Sequence, residues 1–159
     1  MSALARLIAT CFFLGNVPKA PGTAGSLGAL AVAWWLHSSY DIPGAGFAVY
    51  ALLLLAPASW AAGRVAEDVG KPDSGKNDPQ IVVIDEWVGQ WITLAGAATL
   101  NWKSWLGAFL LFRAFDIWKP PPVRQLERVQ GGAGIVLDDV MAGIYAALVL
   151  YFAGWFNLY

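Results

Sequence analysis

Long uncharged apolar runs alternate along the chain with shorter polar segments rich in Gly, Pro and charge. Residues 42 to 63 and 140 to 159 contain no charged residue, and 24 to 40 contain only His37. Residues 87 to 102 and 104 to 118 read as a hairpin of two short spans joined around Asn101 and Lys103. A helix needs roughly 20 apolar residues to cross the hydrocarbon of a bilayer. The pattern therefore predicts an all-α, multi-helical integral membrane protein of four to five spans, with residues 1–159 a single domain. Before them, MSALARLIATCFFLGN carries Arg6, a short apolar core and no small-residue cleavage site. It predicts a retained amphipathic or re-entrant helix at the interface, too short to span. Residues 15 to 23, 64 to 86 and 119 to 139 read as loops or helix entries, with much of 64 to 80 a solvated linker. No internal repeat is evident.

Composition supports the membrane reading. Hydrophobic residues make up 58 % and charged residues 13 %, a charge deficit unusual for a soluble domain. The nine Trp and five Tyr suit the wet, half-apolar boundary of a bilayer. A net charge of -1 excludes nucleic acid as a partner, which needs a basic footprint. The single Cys11 can make no internal disulfide and reads as a small buried apolar residue.

Charge also sets orientation. With the spans as drawn, Arg6, Lys19, Arg64, Lys71, Lys76, Arg113, Lys119, Arg124 and Arg128 fall on one side and Lys103 on the other. The positive-inside rule makes the first side cytoplasmic. Of the 11 acids only Asp41 lies opposite, so ionisable groups gather on one face and point to a site there.

The acids occur in pairs. Asp85 and Glu86 open an uncharged run, and a helix dipole accounts for one of them. Glu86, Gln90 and Thr93, at i, i+4 and i+7, extend a polar stripe two turns into the apolar segment, where polar groups are costly and usually functional. Asp138 and Asp139 again precede an uncharged run. Two such pairs on one face would repel each other unless they share a cation, and carboxylates with phosphate oxygens suit Mg²⁺. In 112-FRAFDIWKPPP-122, Arg113, Asp116 and Lys119 recur at three-residue spacing. They read either as a buried ion pair or as a ligand (Asp116) with two anion-binding groups. Around Lys19 and Thr23, GNVPKAPGTAGS leads into a helix whose N-terminal amides suit an anion, although Gly and Pro also make ordinary turns; 131-GGAGI-135 is similar.

Missing residues narrow the chemistry. The sole histidine, His37, lies on the opposite side, no Arg follows Cys11 at i+6, and neither DxDxT nor G-x-S-x-G occurs. What remains is metal-assisted attack of water on phosphorus.

Together PKAPGTAGSLGAL (18–30), DPQIVVIDEWVGQWIT (78–93), FRAFDIWKPPPVRQLE (112–127) and GGAGIVLDDVMAG (131–143) resemble the phosphatidylglycerophosphatase A family, in order and over most of the chain. The resemblance implies an all-helical, Mg²⁺-dependent phosphatase of the bacterial inner membrane that converts phosphatidylglycerophosphate to phosphatidylglycerol. On this reading Asp85, Glu86, Asp138 and Asp139 hold the metal and Asp116 is a further ligand or orients the attacking water. Lys19, Thr23, Arg113 and Lys119 hold the phosphate. Rival readings are a phosphatase or phosphotransferase for another lipid phosphate, a cation transporter, and a non-catalytic assembly protein.

Overall fold

The computed structural model describes residues 2–69 and 79–159. Every regular element among them is helical: α1 (Ala3–Ala9), a 3-10 turn (Leu14–Asn16), α2 (Pro21–Tyr40), α3 (Gly46–Val69), α4 (Ile84–Ala95), α5 (Trp102–Trp118), α6 (Val123–Leu126) and α7 (Gly132–Trp155).

Local chemistry explains the boundaries. Pro21 opens α2, where its missing N–H costs nothing. Asp41 closes that helix in the left-handed region at φ 53, and Pro43 follows. Asn101 caps α5 by accepting from the Lys103 and Ser104 amides, at 2.9 and 3.2 Å, while Ser104 Oγ accepts from the Asn101 amide at 2.8 Å. Lys119, left-handed at φ 48, ends α5 just before the proline run.

Two helices, α3 and α7, are long and apolar enough to cross a membrane. Each has 24 residues, about 36 Å at 1.5 Å per residue. The expected span over 87–102 is replaced by a 12-residue α4, only about 18 Å long. Gly96 caps its C-terminus and lies against the α7 backbone at Ala147, where a side chain has no room. The segment expected as a linker from residue 64 stays helical through Val69, and Lys71 and Lys76 lie outside the described residues. The start of α7 is eight residues earlier than the apolar run that predicted it. Gly132 packs on the α3 backbone at Ser59 and Gly63, so the Gly-rich stretch is a close helix contact and not a turn.

The central helix is α4, which packs most extensively on α7 and α3 and also touches α2 and α5. Sequential antiparallel connection brings the N-termini of α2, α4 and α7 and the C-termini of α3 and α5 to one end. Asp41, just after α2, and Lys103, in the first turn of α5, lie at the other. The outer face is apolar, with Leu52 and Leu53 of α3, Leu110 of α5 and Phe152 of α7 exposed, as a lipid-facing surface requires. The N-terminal segment is a seven-residue helix docked against α3. The Val83 amide donates to the Ala9 carbonyl at 2.8 Å, tying that segment to the start of α4. Cys11 is buried, as expected, and Phe12 and Phe13 beside it turn outward.

Candidate metal and phosphate site

The geometry of the site begins with two glycines. Gly89 of α4 and Gly143 of α7 lie where these helices cross: a Cβ on Gly143 would come 2.5 Å from the Gly89 carbonyl oxygen, and one on Gly89 2.7 Å from that of Asp139. Thr93 spans the crossing, donating to the Gly89 carbonyl at 2.9 Å with the Gly143 carbonyl at 3.4 Å. One turn before each glycine is an aspartate, in 85-DEWVG-89 and 139-DVMAG-143. Bringing the glycines together therefore brings Asp85 and Asp139 together. With Glu86, each offers an oxygen within 4.8 Å of the other two. Asp85 and Asp139 are only 3 % and 4 % exposed.

Two buried carboxylates and the half-buried Glu86, from two helices, form a hard, anionic donor set that fits a small divalent ion better than a soft one. Removing the glycine contact should dismantle it. Gly89→Val would drive a branched side chain into Phe112 and the α7 backbone, and is expected to cost about 1–3 kcal/mol. Its thermal midpoint in detergent should fall, and activity should fall further than the midpoint explains because the acids are pushed apart.

Asp138 points elsewhere. Its Oδ2 accepts from Lys119 Nζ at 2.6 Å, and Lys119 also lies 3.3 Å from Glu127. Burial alone would lower the Lys119 pKa. Asp138 beside it, by charge and hydrogen bond, and then Glu127 and Asp139, more than offset that and hold it above the ordinary lysine value. The Cys11 thiol is also pushed up, first by burial and then by the negative charges of Asp85 and Glu86, which keeps it protonated and unreactive.

Arg113 links the two acid-bearing regions of α4 and α5. Its Nη1 donates to Asp116 at 2.6 Å and lies 3.9 Å from Glu86. Lys19 is exposed, in left-handed backbone at φ 73 just before α2, and Thr23 is half-buried in the first turn of that helix. Neither is joined to the acids by a hydrogen bond or ion pair among the described residues. The structure thus brings Asp85, Glu86 and Asp139 into one cluster, sets Arg113 and Asp116 beside it, and pairs Lys119 with Asp138. Sequence reasoning passed over Glu127, Gly89 and Gly143. The repeated D-x-x-x-G was the available signal for the glycines; Glu127 carried none.

A family model described as Phosphatidylglycerophosphatase A matches residues 7–154. The chain belongs to that family. Among curated phosphatidylglycerophosphatase A proteins it is 37 % identical to that of Escherichia coli K12, over 93 % of this chain and 82 % of the other. With the one from Haemophilus influenzae it shares 37 % identity, over 91 % and 85 %. A Bacteroides thetaiotaomicron protein, provisionally named a phosphatidylinositol-3-phosphatase, is 38 % identical over 97 % of this chain and 96 % of its own. No solved structure matches. The sequence blocks that carry the likeness to phosphatidylglycerophosphatase A supply parts of α2, α4, α5 and α7, and the acids and Arg113 of α4, α5 and α7 gather at one end of the bundle.

Proposed function

We propose that the protein hydrolyses the phosphomonoester of phosphatidylglycerophosphate, releasing phosphatidylglycerol and inorganic phosphate, at a Mg²⁺ site on the cytoplasmic face of a bacterial inner membrane. The observation that carries this reading is the largely buried cluster of Asp85, Glu86 and Asp139 in a chain of this family. α2, α3, α5 and α7 would cross the bilayer, with α4 reaching only part way and the N-terminal segment at the interface. The acyl chains would stay in lipid while the headgroup reaches the charged end.

Asp85, Glu86 and Asp139 would hold the metal. When bound, Mg²⁺ supplies compensation for charge building on the phosphoryl oxygens. Arg113 would offer its forked guanidinium to those oxygens while Asp116 and Glu86 fix its position. Asp116 would also orient the attacking water and hold its proton. Lys119, kept charged by Asp138, would add a point charge, and Lys19 and Thr23 at the start of α2 would close around the phosphate. A cation transporter is disfavoured, because the acids lie at one end of the bundle and not at mid-depth.

The test is phosphate release by the purified protein in detergent from phosphatidylglycerophosphate, phosphatidic acid and phosphatidylinositol 3-phosphate, each with Mg²⁺ and with chelator. Metal-dependent release favouring the first is the expected result. Preference for phosphatidylinositol 3-phosphate would reassign the substrate in line with the Bacteroides relative. Release unaffected by chelator would remove the metal reading.

A further inference from the structure

Below the carboxylates the polar stripe of α4 reaches a residue that the proposed chemistry does not use. Gln90 is fully buried, and neither its amide oxygen nor its amide nitrogen has a hydrogen-bond partner among the described residues. Ser26 of α2 is also fully buried with its hydroxyl unpartnered. Native proteins seldom leave such groups unsatisfied, and here the Ser26 hydroxyl and both amide atoms of Gln90 are orphaned. Thr93, the next polar residue along the stripe, is satisfied by the Gly89 carbonyl.

Register places Gln90 and Ser26 in one layer. The helices run parallel, with Gly22 of α2 against the Glu86 carboxylate and Arg113, and Trp91 Nε1 donating to the Ala29 carbonyl at 2.9 Å. Ser26 falls between Gly22 and Ala29 on the same stripe of α2, and Gln90 falls between Glu86 and Trp91 on α4. That layer lies one helical turn, about 6 Å, beneath the acid cluster.

We propose that Ser26 and Gln90 enclose an ordered water directly beneath the carboxylates, and that Gln90 is the positioning residue that fixes Glu86 for metal binding. A primary amide offers two donors and an acceptor, and a hydroxyl one donor with acceptor capacity. Buried water typically makes about three hydrogen bonds, which this pair can supply. At i+4 from Glu86, Gln90 makes no direct hydrogen bond to that carboxylate and would reach it through the water. Partners that orient ligating carboxylates are worth about 10- to 100-fold in metal affinity. If Gln90 were only a packing residue, an apolar side chain of the same shape would stabilise the fold and leave metal binding unchanged.

The inference rests on the metal-site reading above, so its test measures metal binding apart from catalysis. In the full chain in detergent, the thermal midpoint is followed against Mg²⁺ for wild type, Gln90→Met and Ser26→Ala. Metal-free Gln90→Met is expected to melt at or above the wild-type temperature. The Mg²⁺ concentration giving half the thermal shift should rise at least about tenfold. Half-maximal phosphate release should move to the same higher Mg²⁺ concentration, with kcat at saturating metal changing less. Ser26→Ala should move both in the same direction by a smaller factor, and it decides the matter should Gln90→Met fail to fold. Wild-type metal dependence in Gln90→Met, or in Ser26→Ala if only that variant folds, overturns the inference. A wild-type protein whose midpoint ignores Mg²⁺ overturns the metal site itself, a different result.

Discussion

Asp139→Asn, and equally Asp85→Asn, is expected to lower phosphate release by roughly 10²–10³-fold or more, the scale set by losing a preorganised electrostatic group. The amide has the volume of the carboxylate, so the α4–α7 crossing and its glycine contact should survive. What disappears is one negative charge from a cluster whose oxygens lie within 4.8 Å of one another. That loss weakens metal binding, yet it also relieves repulsion among like charges, so the metal-free variant should melt no lower than wild type. Activity collapsing while stability holds separates a metal-binding role from a structural one. Asp41→Asn, at the far end of the bundle, should keep wild-type turnover. Wild-type turnover in purified Asp139→Asn and Asp85→Asn would sink the assignment.

Lys119→Met is expected to cost about 3–5 kcal/mol of stability, because it strands a buried carboxylate. Asp138 has a side chain only 8 % exposed and depends on Lys119 Nζ at 2.6 Å. Glu127 loses the same partner, at 3.3 Å. The thermal midpoint in detergent checks the cost, and the double variant Lys119→Met/Asp138→Asn should recover most of it, since removing both partners leaves no uncompensated charge. A double variant as unstable as the single one would show that Lys119 acts through packing rather than through Asp138. Phosphate release by the double variant then reports what the Lys119 charge gives to substrate alone.

Much of the fold was legible because apolar runs translate directly into helices: α2, α3, α5 and α7 each contain most of a predicted segment. The misread boundaries share a feature. Gly96, just past α4, and Gly132, first in α7, both press against neighbouring backbone, and a single sequence shows such a glycine without showing its neighbour. The charged residues of the site were nameable as costly groups in an apolar chain. Which of Asp138 and Asp139 would face Asp85 was not, since adjacent helical positions point about 100° apart and the helix's rotation is set by what it packs on. The two D-x-x-x-G steps held that answer, because the glycine marks the contact face and the acid one turn earlier shares it.

The meeting of α4 and α7 through bare main chain has one more consequence. With Gly89 and Gly143 in contact, the gap between Asp85 and Asp139 is a property of two backbones and only secondarily of side-chain rotamers. Closely packed interiors barely stretch, so in the proposed metal site the gap would act as a ruler of ionic radius. Mg²⁺ binds oxygen at about 2.0–2.1 Å, whereas Ca²⁺ asks for about 2.3–2.6 Å and more ligands. The larger ion would have to pry apart the crossing that organises the bundle. On the proposed metal reading, discrimination between cations of equal charge would thus rest on two residues that have no side chain.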